Sequence, residues 1–225
     1  MTRSPSTTTQ QAVRILALLR VCGEVTGGND PAGMVQVIRS EKRLQALNFW
    51  LVNPDYLADE VITAVDKDAL DVSYLAIAEG LLNDPEPALH HYPTPKWFYG
   101  AYERIDDAFS LLASYGLAKV RRRGVPPKRS NNQFFLSEDG ARVADEMAAT
   151  TILDWYSKQA ELVHLVAGRD SGTRLKERQY DQETYAEARW GNPIASIEEQ
   201  VRKRLAENAV AAEEKNQTDM SEEQL

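Results

Sequence analysis

The sequence predicts a mainly α protein carrying one small β-hairpin and a helical C-terminal arm. Three observations carry that expectation. Apolar residues recur at spacings of three and four through most of the 225 residues. One stretch, Leu117–Arg123 followed by "QFFLS", replaces that period with two short β-favouring runs around a loop whose paired prolines cannot sit inside a strand. A composition of 43% hydrophobic and 27% charged residues is globular, and the length suffices to bury a core.

Taken in order, residues 1–11 are polar and expected to form a disordered arm. A first helix is expected over 12–23, with Ile15, Leu18, Leu19 and Cys22 on one face and Gly23 ending it. The turn-rich "EVTGGNDPAG" follows. Ser40 caps a second helix whose buried face is Leu44, Leu47, Trp50 and Leu51. Asn53 offers a capping oxygen to a third, Pro54 suits its first position and Asp55 meets its positive end. Asp68 and Asp71 bracket a fourth start, which Asn83-Asp84-Pro85 stops. "PEPALHHYPTPK" reads as an irregular, packed connector.

A helix is then expected over 97–115, burying Ala101, Ile105, Ala108, Leu112 and Tyr115, with Gly116 as its left-handed terminator. After the hairpin, Ser137 caps a helix expected over 138–167, bending at residues 150–152. From Gly168 the chain is polar with spaced aromatics. Asn192-Pro193 repeats the earlier start signal, and Ile194, Ile197, Val201 and Leu205 form a narrow seam that wants a partner helix. The expected divisions are a helical domain over 12–167, a C-terminal helical region over 168–212 and a disordered acidic tail over 213–225. Whether 12–66 forms a second unit of the hairpin's type is open.

Net charge is −8, yet Lys119, Arg121, Arg122, Arg123, Lys128 and Arg129 cluster within residues 119–129 with no acid among them. Contact with a polyanion must therefore be local. Period-two alternation points Val120, Phe134 and Leu136 inward and Arg121 and Arg123 outward. Helix, glycine turn, strand, polar loop, strand and capped helix is the order of a winged helix-turn-helix, here over 97–147. The six cations, with Asn131 and Asn132, suit phosphate contacts, which position a protein without reading sequence. An edge hairpin also gains Lys and Pro as protection against aggregation. The exposed face of the preceding helix is expected to show Glu103, Asp106, Asp107, Ser110 and Ser114, with Arg104 its only base. Base reading in a major groove favours Arg, Lys, Asn or Gln, so this face suits a protein partner better.

"ASYGLAKVRRRG" with "QFFLSEDGARVADEM" resembles the second half of MarR-like and PadR-like domains, where a "GL" ends the recognition helix and a "[FY]xLTxxG" motif closes the wing. "RSEKRLQALNFWLVNPDYLADEVI" resembles the "LxKLDFxLRxPxYLA" segment of the middle components of bacterial ABC-three-component, Lamassu-like anti-phage systems. "LKERQYDQETYAEARWGNPIASIEEQVRKRL" is similar to the C-terminal part of such proteins. Asn48 stands for the pattern's Asp, and Asn53 for the Arg beside the proline. The resemblance implies a winged-helix accessory subunit that binds the heads of an SMC-like ATPase and links them to an effector. The competing readings are a dimeric transcription regulator joined through 138–167 or the 193–209 seam, and an interaction module without DNA contact.

No enzyme signature is present. There is no phosphate-cradling G-x-x-x-x-G-K-[ST], no G-x-S-x-G and no H-E-x-x-H. Near Pro54-Asp55, Val65 occupies the place an acid-x-Lys nuclease motif needs. His90, His91 and His164 lack a companion cysteine pair, and Cys22 sits in an apolar stretch, so no metal, cofactor or disulfide is expected. "NFW" at 48–50 and "WFYGAY" at 97–102 read as core before base-stacking platforms. With no apolar run near the length of a membrane span and no signal-peptide pattern, a cytoplasmic protein is expected.

Overall fold

The computed structural model describes residues 7–83, 94–97, 100–124 and 131–222, with side-chain surroundings through residue 210. The elements are α1 (Thr8–Cys22), β1 (Glu24–Val25), β2 (Met34–Ile38), α2 (Glu41–Val52), α3 (Pro54–Asp66), α4 (Tyr74–Asn83), β3 (Lys96–Trp97), β4 (Gly100–Ala101), α5 (Asp106–Ser114), β5 (Ala118–Arg123), β6 (Asn131–Ser137), α6 (Glu138–Ala148), α7 (Asp154–Ala167), α8 (Gly172–Tyr180), α9 (Glu183–Glu187) and α10 (Glu198–Glu222). The chain is mainly helical with a small antiparallel sheet. Among the described residues, no helix is long and apolar enough to cross a membrane.

Two compact units divide the described chain. One is built from the segments up to Asn53 and from residue 94 to Ala195, the other from residues 54–83 and from Ser196 onward. The division separates α3 from α1 and α2, so 12–66 is not a unit of its own.

In the first unit the sheet order is β1-β2-β6-β5, every pair antiparallel. Strand β6 is central, and Phe134, Phe135 and Leu136 are all buried. This is why "FFL" is a continuous apolar run rather than an alternating one. Helix α1 is apolar on most of its circumference because it packs against α2, α5, α6, α7 and the sheet. Phe109 of α5 stacks on Phe134 at 4.8 Å between ring centroids. Ser137 caps α6 by accepting from the Gly140 N–H at 2.9 Å, as its position predicts. Gly140 is needed there, since a Cβ would stand 2.1 Å from the Leu117 carbonyl oxygen.

Several boundaries differ from expectation. Strand β1 lies inside the expected turn, and β2 occupies residues for which no element was expected. The helix expected from 97 starts at Asp106, because Lys96–Trp97 and Gly100–Ala101 pair as an antiparallel ladder, with Gly100 at φ +103°. Tyr115 is 74% exposed rather than buried, whereas Gly116 does terminate α5 at φ +71°. The long helix is two, broken after Ala148 by a turn in which Thr150 Oγ1 donates to the Glu146 carbonyl and Leu153 N donates to Thr150. Helix α3 begins at Pro54 as expected, and Asn53 before it also closes α2, its amide donating to Phe49 O and Thr94 Oγ1. Helicity reaches back to Thr8 and forward to Glu222, into both expected tails.

In the second unit, α10 packs on α3 and α4. Asp55 Oδ2 accepts from Ile197 N and Ser196 Oγ, each at 2.8 Å, just before α10 starts. Arg204 ties α10 to α3 through Asp59 and, at 2.6 Å, Asp66.

Candidate nucleic-acid interface

Strands β5 and β6 pair in uninterrupted register from Ala118↔Leu136 to Arg123↔Asn131. Cross-strand partners share a face. Ala118, Val120 and Arg122 therefore lie with Leu136, Phe134 and Asn132, and Lys119, Arg121 and Arg123 lie with Phe135, Gln133 and Asn131. Lys119, Arg122 and Arg123 are exposed. Lys128 and Arg129 lie outside the described residues.

Arg121 is not an outward cation. Its guanidinium lies 4.9 Å over the Phe135 ring and donates to Asp30 Oδ1 at 2.9 Å, Gln133 Oε1 at 2.9 Å and the Asn29 carbonyl at 3.0 Å. The β1–β2 loop folds back over the sheet and delivers that carboxylate. Arg39 grips the same group through Nη1 at 3.1 Å and Nη2 at 2.9 Å, and the Gly27 N–H donates at 2.9 Å. Arg39 first, then Gly27 and Arg121, hold the Asp30 carboxyl well below the usual carboxylate range. The expected alternation fails at Val120 too, which is 42% exposed because α5 leaves a groove beside it, lined also by Ile105, Phe109 and Ala113.

On the preceding helix, Asp106 and Asp107 are exposed in the first turn of α5, as expected. Glu103 is not part of that face. It lies before the helix, and its carboxylate accepts from Gln11 Nε2 at 2.7 Å and Asn48 Nδ2 at 2.9 Å, with buried Arg14 3.7 Å away. Gln45 fixes its backbone, donating to Glu103 O at 2.8 Å and accepting from Glu103 N at 3.0 Å. Glu103 is thus an internal acceptor, not a partner-binding group.

The C-terminal seam is also corrected. Ile197 and Val201 are 2% and 0% exposed, and α10 already rests on α3, so the chain supplies its own partner helix. Ile194 is buried where Ile194 N donates to Thr94 O at 3.0 Å, and Leu205 is half-buried. These four do not form an open docking stripe.

Cys22 is buried, which pushes its thiol up to about 12. His90 and His91 lie outside the described residues. The Asp30–Arg39–Arg121 cluster was not foreseen. Its one local signal is the β-branched "MVQVI" after Gly33, which marks β2 and hence the fold-back of the loop. No family model, curated protein or solved structure matches this chain.

Proposed function

We propose that this chain is a non-enzymatic winged-helix subunit that touches DNA without reading its sequence. The observation that carries the reading is the threading of the first unit. Helix α1, strand β2, helix α2, helix α5 and the hairpin β5–β6 follow in chain order, and the sheet runs β2-β6-β5. A winged helix threads three helices and three strands in this way, with the third strand between the other two. Here α3 and α4 enter between its second and third helices. The wing is then the β5–β6 hairpin, and Lys119, Arg122 and Arg123 are its exposed cations.

The helix that would enter a groove begins with Asp106 and Asp107, which phosphates on both sides would repel. This favours a protein partner on α5 and backbone-only DNA contact by the wing. The resemblance of residues 39–62 to the middle components of Lamassu-like systems supplies the partner: heads of an SMC-like ATPase, with an effector beyond. The alternative is a transcription regulator, favoured by the same threading and opposed by the two aspartates.

Titration of the full chain with unrelated duplexes tests the reading. A subunit of this kind binds them equally and weakly, with steep salt dependence. A regulator prefers one operator and loses about 1–3 kcal/mol per mismatched base pair. Co-expression with an SMC-like ATPase tests the partner; failure of the two to co-purify removes that half of the proposal.

A further inference from the structure

Strand β5 ends its sheet, with β6 on one side and, among the described residues, no strand on the other. Alternate residues of an edge strand turn their N–H and C=O groups away from the neighbour they pair with, so β5 offers a row of backbone donors and acceptors along its outer side. Charge often blunts such edges, and the cations of β5 have that effect. Protection alone does not account for Val120, which lies between Lys119 and Arg121 and is 42% exposed. Beside it runs a groove of ≈ 610 Å³ whose apolar lining includes Phe109 of α5 and Phe134 of β6. An edge strand and an apolar trough thus meet at one residue.

The two faces of that edge differ in charge. Val120 faces the groove, which the carboxylate residues Asp106 and Glu41 also line. Lys119, which borders the groove, and Arg123 share the opposite face and are exposed; Arg121 between them is already neutralised by Asp30. A strand added beyond β5 would place its side chains on alternate faces. The residue opposite Val120 would enter the trough and must be apolar, since an acid there would meet Asp106 and Glu41. Its neighbours would fall on the Lys119 face, where carboxylates are attracted. A second copy of β5 fits poorly, because antiparallel pairing of Ala118–Arg123 with itself lays cation against cation. A helical occupant spends its backbone groups internally and leaves those of β5 to water.

We propose that β5 is the docking edge for an extended segment of a protein partner, one that alternates acidic and apolar residues and adds to the four-stranded sheet as its fifth strand. An apolar side chain of the segment seats on Val120, and its carboxylates meet Lys119 and Arg123. The proposal deepens the reading above and rests on it for a protein partner beside α5. Lys119 also belongs to the set assigned to DNA, so duplex and segment compete for it.

The test titrates the full chain with a fluorescein-labelled octapeptide that alternates Glu and Val, read by anisotropy at constant ionic strength. One control peptide is N-methylated at two adjacent central residues, which removes a backbone donor from each of its edges; another alternates Lys and Val. The chain variants are Val120→Glu and Lys119→Glu, the second at a fully exposed position in case the first fails to fold. The Glu-Val peptide is expected to bind wild type and to slow backbone hydrogen exchange over 118–123. Both control peptides, and both variants with unchanged circular dichroism, are expected to lose at least about tenfold in affinity. The docking edge is overturned if the methylated peptide binds as well as its parent, if exchange over 118–123 does not slow, or if Lys119→Glu binds like wild type. Self-association that protects 118–123 without peptide overturns it in favour of a second copy. A wild type that binds duplex DNA but not the Glu-Val peptide overturns this inference alone; one that binds the peptide but no DNA overturns the wing's DNA contact alone.

Discussion

Two carboxylates with opposite duties set the chemistry of single residues. Asp30 neutralises Arg39 and Arg121, and so subtracts one arginine from the hairpin's available charge. Because its pKa is depressed in the fold, its contribution to stability is present above the ordinary carboxylate value near 4 and is lost as pH falls below it. Asp30→Asn should lower the melting temperature at pH 6 and flatten the acid dependence below pH 4. It should also tighten DNA binding by releasing Arg121, which a titration at fixed salt reads directly. Glu103 faces inward. Glu103→Ala leaves Arg14, Gln11 and Asn48 without their acceptor and should cost about 2–3 kcal/mol in urea unfolding. Glu103's role is not legible locally, since Asn48 and Gln11 lie 55 and 92 positions away, and although Arg39 is only nine residues from Asp30, the Arg121 that Asp30 takes from the hairpin lies 91 away. What a sequence shows is that a residue is charged; whether the charge faces water is decided by a loop or helix from elsewhere in the chain.

At the scale of elements, local chemistry was legible wherever a side chain acts on its own backbone. Ser40 and Ser137 cap their helices, Gly116 takes the left-handed turn, and "QFFLS" pairs with residues 118–123. The failures come where neighbours override propensity. "WFYGAY" has helical spacing but holds Gly100 at positive φ, with Ala101 N donating to buried Tyr185 Oη at 2.7 Å. The seam over 194–205 was rightly apolar, but the missing partner helix is the chain's own α3. Gly140→Ala, by driving a methyl into the Leu117 carbonyl, should cost at least about 2 kcal/mol, more than the roughly 1 kcal/mol expected for Ser137→Ala; chemical denaturation of both variants checks the order. If α5 is the face for the proposed SMC-like ATPase partner, Asp106→Lys/Asp107→Lys should abolish co-purification with it while leaving the melting temperature of the isolated chain within a few degrees. An intact complex would remove α5 as the partner face.

For the whole molecule, the claim is that an acidic protein carries a local cationic finger. That the chain is mainly helical with a small antiparallel sheet was readable because composition and period are summed over many residues. The division into two units was not, because it joins 54–83 to a helix more than a hundred residues later. The most direct measurement is fluorescence anisotropy of the full chain against several unrelated duplexes over a salt series, with wild type beside Arg122→Glu/Arg123→Glu. The account predicts equal affinity for all sequences, a steep fall with salt, and loss of binding in the charge-reversed variant with its melting temperature kept. Binding that survives the reversal, or a single duplex preferred a thousandfold, would contradict it.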